Sequence, residues 1–323
     1  MHVGILHQMW AVSSVSDRQC IEDAVADVQL AEALGYESFW FGEHHFSRHK
    51  PFFGRVPVPE LLIARLAAET RRIRLGTGVK VLPLDTAARF AEKMALLDLL
   101  TDQRSVFGIG EGTNGELVDE HQKGPIYRRE LTELLAYLRG EVDDGRPPLT
   151  PAPERDLSTL LWAAVRNADS VAASARAGIN LALGQIGLAT DQRVYVDRYR
   201  DAGGTGEVRA FRLVLVAETG QEALRLAQQA SEVYYAMLRQ STGSATATGL
   251  EPDAEGRRNL LFGTPSSVAG QVLRFKEECA VDRVDLLVHV PGLSHDAVQQ
   301  TLTLFAREVA PLIGADMLAP ALV

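Results

Sequence analysis

A short apolar run followed by an amphipathic helix recurs along this chain, and that alternation limits its possible folds more than any other feature. Apolar, β-prone runs fall at Val3–His7, Glu37–Phe41, Ile73–Leu82, Val106–Ile109, Leu160–Val165, Asn180–Leu183, Ala210–Ala217 and Arg283–His289. Helical periodicity lies between them, at Arg18–Leu34, about Glu60–Thr70, Thr86–Leu100, Tyr127–Leu138, Ser170–Ala177, Asp191–Ala202, Gln221–Leu238, Ser266–Glu278 and Asp296–Ile313. In the first helix Ile21, Ala24, Val25, Val28 and Ala31 share one face, with Asp17 the expected N-cap and Gly35 the expected left-handed stop. Strands that alternate with helices imply a parallel sheet. Eight repeats close naturally into a (β/α)8 TIM barrel, here read as one domain over residues 1–323. The rival is an open doubly wound sheet, but no Gly-x-Gly-x-x-Gly opens the first helix.

Two stretches depart from this rhythm. Asp143–Asp156 is polar and proline-rich, a surface link. Gln240–Gly263 is rich in Ser, Thr, Gly and Ala and lacks apolar periodicity, so it reads as an irregular insertion, either disordered or a lid. The lid is the preferred reading, because barrel active sites are built from loops that follow strands.

A net charge of −9 argues against a nucleic acid as partner. The two cysteines, Cys20 and Cys279, are too few and too far apart for a disulfide framework or a cysteine-built metal site. The first ten residues lack the basic-then-apolar pattern of a signal peptide, and no run of 18 apolar residues is present. A cytoplasmic protein with no membrane partner is expected. The high usage of Ala and Arg points by association to a GC-rich genome and bacterial secondary metabolism.

Residues just past the C-terminal ends of barrel strands face the active site. Glu43-His44-His45-Phe46 falls there, after the second strand. Two histidines beside a carboxylate and an aromatic ring suit acid–base work near a planar ligand. A solvated loop is the plain alternative. Adjacent histidines cannot easily face one ion, so no metal is expected. Trp10, Phe46, Phe52 and Phe53 lie on loops at the same end and are expected to wall a substrate pocket, whereas Trp40 and Phe107, inside strands, belong to the core.

The run Ala31–Phe46 resembles the matching segment of bacterial luciferase and its flavin-dependent monooxygenase relatives. Arg74–Pro83 resembles that family's third strand and exit loop, Arg89-Phe90-Ala91-Glu92-Lys93 and Leu96-Leu97-Asp98 its next helix, and Phe107–Gly112 its glycine-rich fourth strand. The likeness covers most of Met1–Gly187 and returns weakly at Phe262–Pro265. Each piece is common, but four in order are specific.

The resemblance implies an enzyme that uses reduced FMN (FMNH2) and O2, through a flavin peroxide, to oxygenate an aldehyde, ketone or biosynthetic intermediate. It implies a separate flavin reductase as supplier and a homodimer built on helices Leu61–Thr70 and Phe90–Leu100. His44 matches the family's catalytic histidine, with Glu43 and His45 as orienting groups. The alternative for His44 is that it only shapes the pocket. Gly78 and Val79 match a non-proline cis peptide beneath the flavin, although a bulge at two glycines explains them equally. Arg166-Asn167-Ala168-Asp169-Ser170 resembles the phosphate loop, with Arg166, Asn167 and Ser170 as contacts, while Asn167 or Asp169 serves equally as a plain helix cap.

Two departures stand out. The family's phosphate-binding arginine after the fourth strand is replaced by Glu111, beside Gly110 where luciferase has its reactive cysteine. Arg166 stands where the family pattern is often acidic or small, so the charges are read as exchanged between the two positions. The alternatives on this fold are a deazaflavin (F420)-dependent oxidoreductase and a non-catalytic flavin-binding protein. The substrate itself is not legible.

Overall fold

The computed structural model describes residues 1–12, 14–46, 54–112, 118–141, 146–242, 250 and 252–318, with backbone only at 120 and 235–242. Strands β1 (Gly4–His7), β2 (Ser38–Phe41), β3 (Arg74–Val81), β4 (Ser105–Gly110), β5 (Leu161–Ala164), β6 (Asn180–Leu183), β7 (Val208–Val216) and β9 (Arg283–Leu287) pair in parallel and close on themselves through β6–β7 and β9–β1. This is the expected eight-stranded (β/α)8 barrel. Its helices are α1 (Asp17–Leu34), α2 (Pro59–Glu69), α3 (Ala87–Leu100), α4 (Glu120–Leu138), α5 (Ala168–Ala177), α6 (Ala189–Asp201), α7 (Gly220–Thr242), α8 (Pro265–Cys279) and α9 (His295–Leu304). The last continues through a π-helical turn, Phe305–Val309.

The period-2 alternation of each strand divides the apolar residues into two layers. Leu6, Trp40, Val106, Trp162, Phe211, Leu213 and Leu287 point into the barrel. Their neighbours Ile5, Phe39, Phe41, Phe107 and Ile109 point out against the helices. Trp40 and Phe107 are thus core, as expected, each 1% exposed. Close packing by Val106, Leu6 and Trp40 explains the glycines of β3. A Cβ on Gly76 would lie 2.6 Å from the Val106 carbonyl oxygen and 3.1 Å from Trp40 Cε3, and one on Gly78 would lie 2.9 Å from Trp40 Cβ. The lower barrel is filled by Arg209, whose guanidinium sits 4.4 Å from the Trp40 ring centroid and 3.8 Å from that of Trp162. Asp285 binds it at 2.6 Å, so the buried cation is paired as well as stacked.

Several boundaries differ from the expectation. Ser16 rather than Asp17 caps α1, its hydroxyl accepting from the Gln19 N–H, and Asp17 becomes the first helical residue. Gly35 is left-handed at φ 88° as expected. Helix α4 begins at Glu120 rather than Tyr127, because Pro125 in its second turn removes one N–H without ending the helix. The stretch Gln240–Gly263 is not irregular throughout. Helix α7 reaches Thr242, and Leu260–Gly263 is a ninth strand, β8, paired with Leu213–Val216 of β7. Leu213 pairs with Leu260 on one side and Leu287 on the other, so β8 takes up the edge of β7 that β6 leaves. Residues 243–249 and 251, which the lid reading needs, lie outside the described residues. Among the described residues no helix is long and apolar enough to cross a membrane.

Candidate active site

The C-terminal ends of the first five strands converge on one open cleft of about 530 Å³. Its lining comes from Gln8 after β1, Glu43 and His44 after β2, Gly78, Val79 and Val81 of β3, Gly110, Glu111 and Gly112 at the end of β4, Ala164 at the end of β5 and Arg166 beyond it. A larger groove of about 730 Å³ lies between the end of α4 and residues 146–155. Barrel helices run antiparallel to the strands, so the end of α4 lies at the opposite face from the one where barrel sites form.

The floor of the cleft is backbone. The Gly78–Val79 peptide is cis, and the β3–β4 register shifts between Thr77 and Lys80, so the cis bond and the bulge occur together. A Cβ on Gly110 would stand 2.9 Å from Val79 Cγ2 and 3.5 Å from Ala164 Cβ. Any larger residue at 110 would therefore fill the floor, and glycine leaves a surface that a planar ring can approach.

His44 forms the wall. Its Nε2 lies 2.8 Å from Gln8 Oε1, and Gln8 Nε2 donates to the Gly78 carbonyl at 3.3 Å. The pair packs on two glycines. A Cβ on Gly42 would fall 2.2 Å from Gln8 Oε1, and one on Gly54 would fall 2.1 Å from His44 Cδ2. Sequence reasoning misses Gln8: its place immediately after the first strand marks the barrel mouth, but its role shows only beside His44.

Glu43 turns away from solvent into a charged cluster beneath the floor. Its Oε1 lies 2.8 Å from His45 Nε2, and its Oε2 accepts from the Val81 N–H at 3.0 Å and from Lys80 Nζ at 3.1 Å. Lys80 also reaches Glu60 at 3.3 Å and Asp85 at 3.6 Å, and Lys93 pairs with Asp85. Burial works to lower the Lys80 pKa, but Glu43, Glu60 and Asp85 outweigh it and hold the ammonium above its ordinary value. Burial likewise opposes ionisation of Asp85, and the hydrogen bond from Lys93 with the charge of Lys80 keeps that carboxyl below its usual range. Glu43 and His45 are thus a held pair, and Lys80 is a further member of the cluster that the sequence did not suggest.

The remaining residues separate. Arg166 is exposed and lines the cleft. Asn167 caps α5, accepting from the Ser170 N–H at 2.9 Å, and the Ser170 hydroxyl returns a bond to the Asn167 carbonyl at 3.0 Å. Both side chains therefore make the plain helix cap and sit beside the cleft without lining it. Glu111 lines the cleft and lies close to Tyr127 of α4. Burial, then the charge of Glu111, pushes the Tyr127 phenol well up. Trp10 does not reach the cleft. It is buried over the barrel mouth, its ring 5.1 Å from that of Tyr234, and bridges Gly54 through its backbone. Phe46 is 75% exposed, and Phe52 and Phe53 lie outside the described residues. No group of three or more metal-ligating side chains occurs among the described residues.

The sequence profile of the luciferase-like monooxygenases matches residues 1–283. The chain belongs to that family. Limonene 1,2-monooxygenase of Rhodococcus erythropolis is 28% identical over 90% of this luciferase-like chain and 82% of its own. The solved monooxygenase RslO1 of Streptomyces bottropensis superposes with a TM-score of 0.83 at 24% identity, covering 96% and 99% of the two chains. The oxygenating constituent of 3,6-diketocamphane monooxygenase from Pseudomonas putida, solved with FMN, does so at 0.78 with 20% identity over 98% and 100%. An F420-dependent secondary alcohol dehydrogenase shares the fold at 0.71 and 15% identity, covering 97% and 98% of the two chains, so this architecture carries more than one flavin chemistry. The family makes this chain a flavin-dependent oxidoreductase.

Proposed function

We propose that this chain, one domain over residues 1–323, is the oxygenase of a two-component, cytoplasmic system that takes FMNH2 from a separate reductase and oxygenates a small organic substrate with O2. One observation carries the reading: a backbone-floored cleft with a histidine on its wall and an arginine on its rim, at the face where barrel sites form. The Gly110 floor fits an isoalloxazine ring, because a side chain there would crowd Val79 at 2.9 Å and glycine keeps the floor bare. Gly78, Val79 and Gly110 would lie against that ring. Arg166, with the N-terminal turn of α5, would hold the phosphate by charge and helix dipole. Bound reduced flavin supplies the electrons that activate oxygen. The protein's own share is to hold the ring, keep water from it, and exchange a proton through His44. Glu43 and Lys80 fix the loop that carries His44.

The deciding experiment titrates the protein with FMN under anaerobic, reducing conditions and then admits oxygen in a stopped-flow spectrometer. An absorbance transient lasting seconds between reduced and oxidised flavin supports the oxygenase. Immediate reoxidation points to a reductase or a flavin-storage protein. No binding of FMN, with binding of F420, replaces the reading by the deazaflavin one. Affinities also test the proposed charge exchange: Arg166→Ala should weaken FMN binding about tenfold or more, as loss of a charge-assisted contact does. If Glu111→Arg tightens FMN while Arg166→Ala changes nothing, the exchange is wrong.

A further inference from the structure

Gln8 occupies a fixed place. The residue before it, His7, accepts the Met9 N–H on Nδ1 at 3.0 Å, and Met9 itself is left-handed at φ 54°. The Met9 carbonyl accepts the Arg55 N–H at 3.0 Å, while Trp10 pairs with Gly54. With the Gly42 N–H donating to the His7 carbonyl at 3.1 Å, the loop after β1 is tied to the segment after β2 on both sides of Gln8, and His44 is held there too, its N–H donating to the Val56 carbonyl at 3.0 Å. The side chains of Gln8 and His44 meet by construction.

The chemistry of that meeting has one consistent proton arrangement. The Gly78 carbonyl can only accept, so the amide end of Gln8 that faces it is the NH2 group. The other end, 2.8 Å from His44 Nε2, is then the amide oxygen, which also only accepts. His44 Nε2 must carry hydrogen. We infer that Gln8 is a positioning residue that locks His44 in the Nε2–H tautomer, which places the ring's lone pair on Nδ1. A backbone carbonyl of the cleft floor thus dictates, through one amide, which ring nitrogen carries the hydrogen. The inference deepens the proposed function, resting on it for the use of the proton but not for the tautomer.

The test is long-range proton–nitrogen NMR of the full chain labelled at histidine, with His44 assigned by its loss in His44→Gln. The expected result is a neutral His44 with its hydrogen on Nε2. Gln8→Leu removes the acceptor and should shift the tautomer ratio about 2- to 10-fold towards Nδ1–H, the range that one hydrogen bond carries. Gln8→Glu keeps an acceptor, retains the Nε2–H form and moves the His44 titration to higher pH than in the unmodified chain. A merely structural Gln8 would leave the tautomer unchanged in every folded variant. An Nδ1–H form in the unmodified chain, or an unaltered ratio in Gln8→Leu, overturns the inference. FMN affinity is measured separately on the same samples. Failure to bind FMN defeats the proposed function while the tautomer result stands on its own.

Discussion

Replacing Lys80 by Met keeps most of the side-chain volume and removes the cation from the cluster beneath the cleft. Three carboxylates, Glu43, Glu60 and Asp85, lie 3.1, 3.3 and 3.6 Å from its ammonium. Glu43 and Glu60 are 6% and 5% exposed, so neither can turn to water. Lys93 pairs with Asp85 but stands 3.9 Å from Glu60, and Glu43 keeps His45 and the Val81 N–H as partners. Breaking a buried pair costs about 3–5 kcal/mol, because the penalty is set by the charge left behind. With an unfolding entropy of about 2.1 cal/mol/K per residue over 323 residues, that loss lowers the apparent Tm by roughly 4–7 °C. The sign with pH follows from the shifts. The raised Lys80 pKa contributes stability that is fully present below its unfolded value and lost as pH rises through the folded one. The lowered Asp85 pKa contributes stability that is present above its unfolded value and lost as pH falls through the folded one. The cluster is therefore complete across the neutral range. The deficit of Lys80→Met should be largest there and should shrink towards about pH 4.5, where protonation relieves the stranded carboxylates. Differential scanning calorimetry at pH 7.5 and 4.5 measures it. A loss under about 1 kcal/mol at neutral pH, or one independent of pH, would refute the view that Lys80 neutralises the cluster.

Gly76→Ala places a methyl 2.6 Å from the Val106 carbonyl oxygen, a backbone atom that cannot swing aside. Urea unfolding should show a loss of at least about 1–3 kcal/mol, and unchanged stability would remove the packing argument for this glycine. His295 is held above its ordinary pKa by its hydrogen bond to Asp27, against a smaller opposing effect of burial, with the charges of Asp27 and Asp23 adding to the rise. His295→Gln should therefore cost most stability below about pH 6.5, with the difference narrowing as pH rises through the folded value; a pH-independent difference would remove the assignment. Leu61, Leu96 and Leu100 are 71%, 49% and 52% exposed on α2 and α3, and if these helices form the proposed homodimer, Leu61→Arg with Leu96→Arg should yield a monomer in sedimentation velocity. A monomer without the substitutions defeats the dimer itself.

Sequence periodicity located the barrel because each layer repeats its own period, and eight of the nine strands among the described residues lie within the expected runs or within two residues of them. The ninth, Leu260–Gly263, was illegible for a physical reason. It is four residues long, is flanked by polar chain, and owes its strand geometry to the free upper edge of β7 rather than to its own pattern. The start of α4 was hidden by Gly124 and Pro125, which read locally as a break. At the site, the local motif around His44 and the glycines of β3 and β4 were visible because they cluster in sequence. Gln8 and Lys80 were not, since a single polar residue at a strand end shows its role only when the partner loop, 35 or more residues away, is in place. The pocket aromatics had no such constraint. Trp10 had loop position in its favour but also a large apolar surface, and burial over the barrel mouth prevailed.

The glycines of the third strand link core to chemistry. Val106, Leu6 and Trp40 crowd the places where Cβ atoms of residues 76 and 78 would stand, so packing calls for glycine at both positions of β3. Without side chains, the same stretch presents bare backbone to the cleft above, and the Gly78 carbonyl becomes the acceptor that orients Gln8. Gln8 then orients His44. A change confined to the barrel interior, Trp40→Leu, therefore predicts an effect at a distance. It loosens the packing that holds the Gly78 backbone and weakens the hold of Gln8 on the His44 tautomer, although neither side chain touches the substitution. An unaltered tautomer in a stably folded Trp40→Leu variant would separate core from site and leave the Gln8 bridge standing by itself.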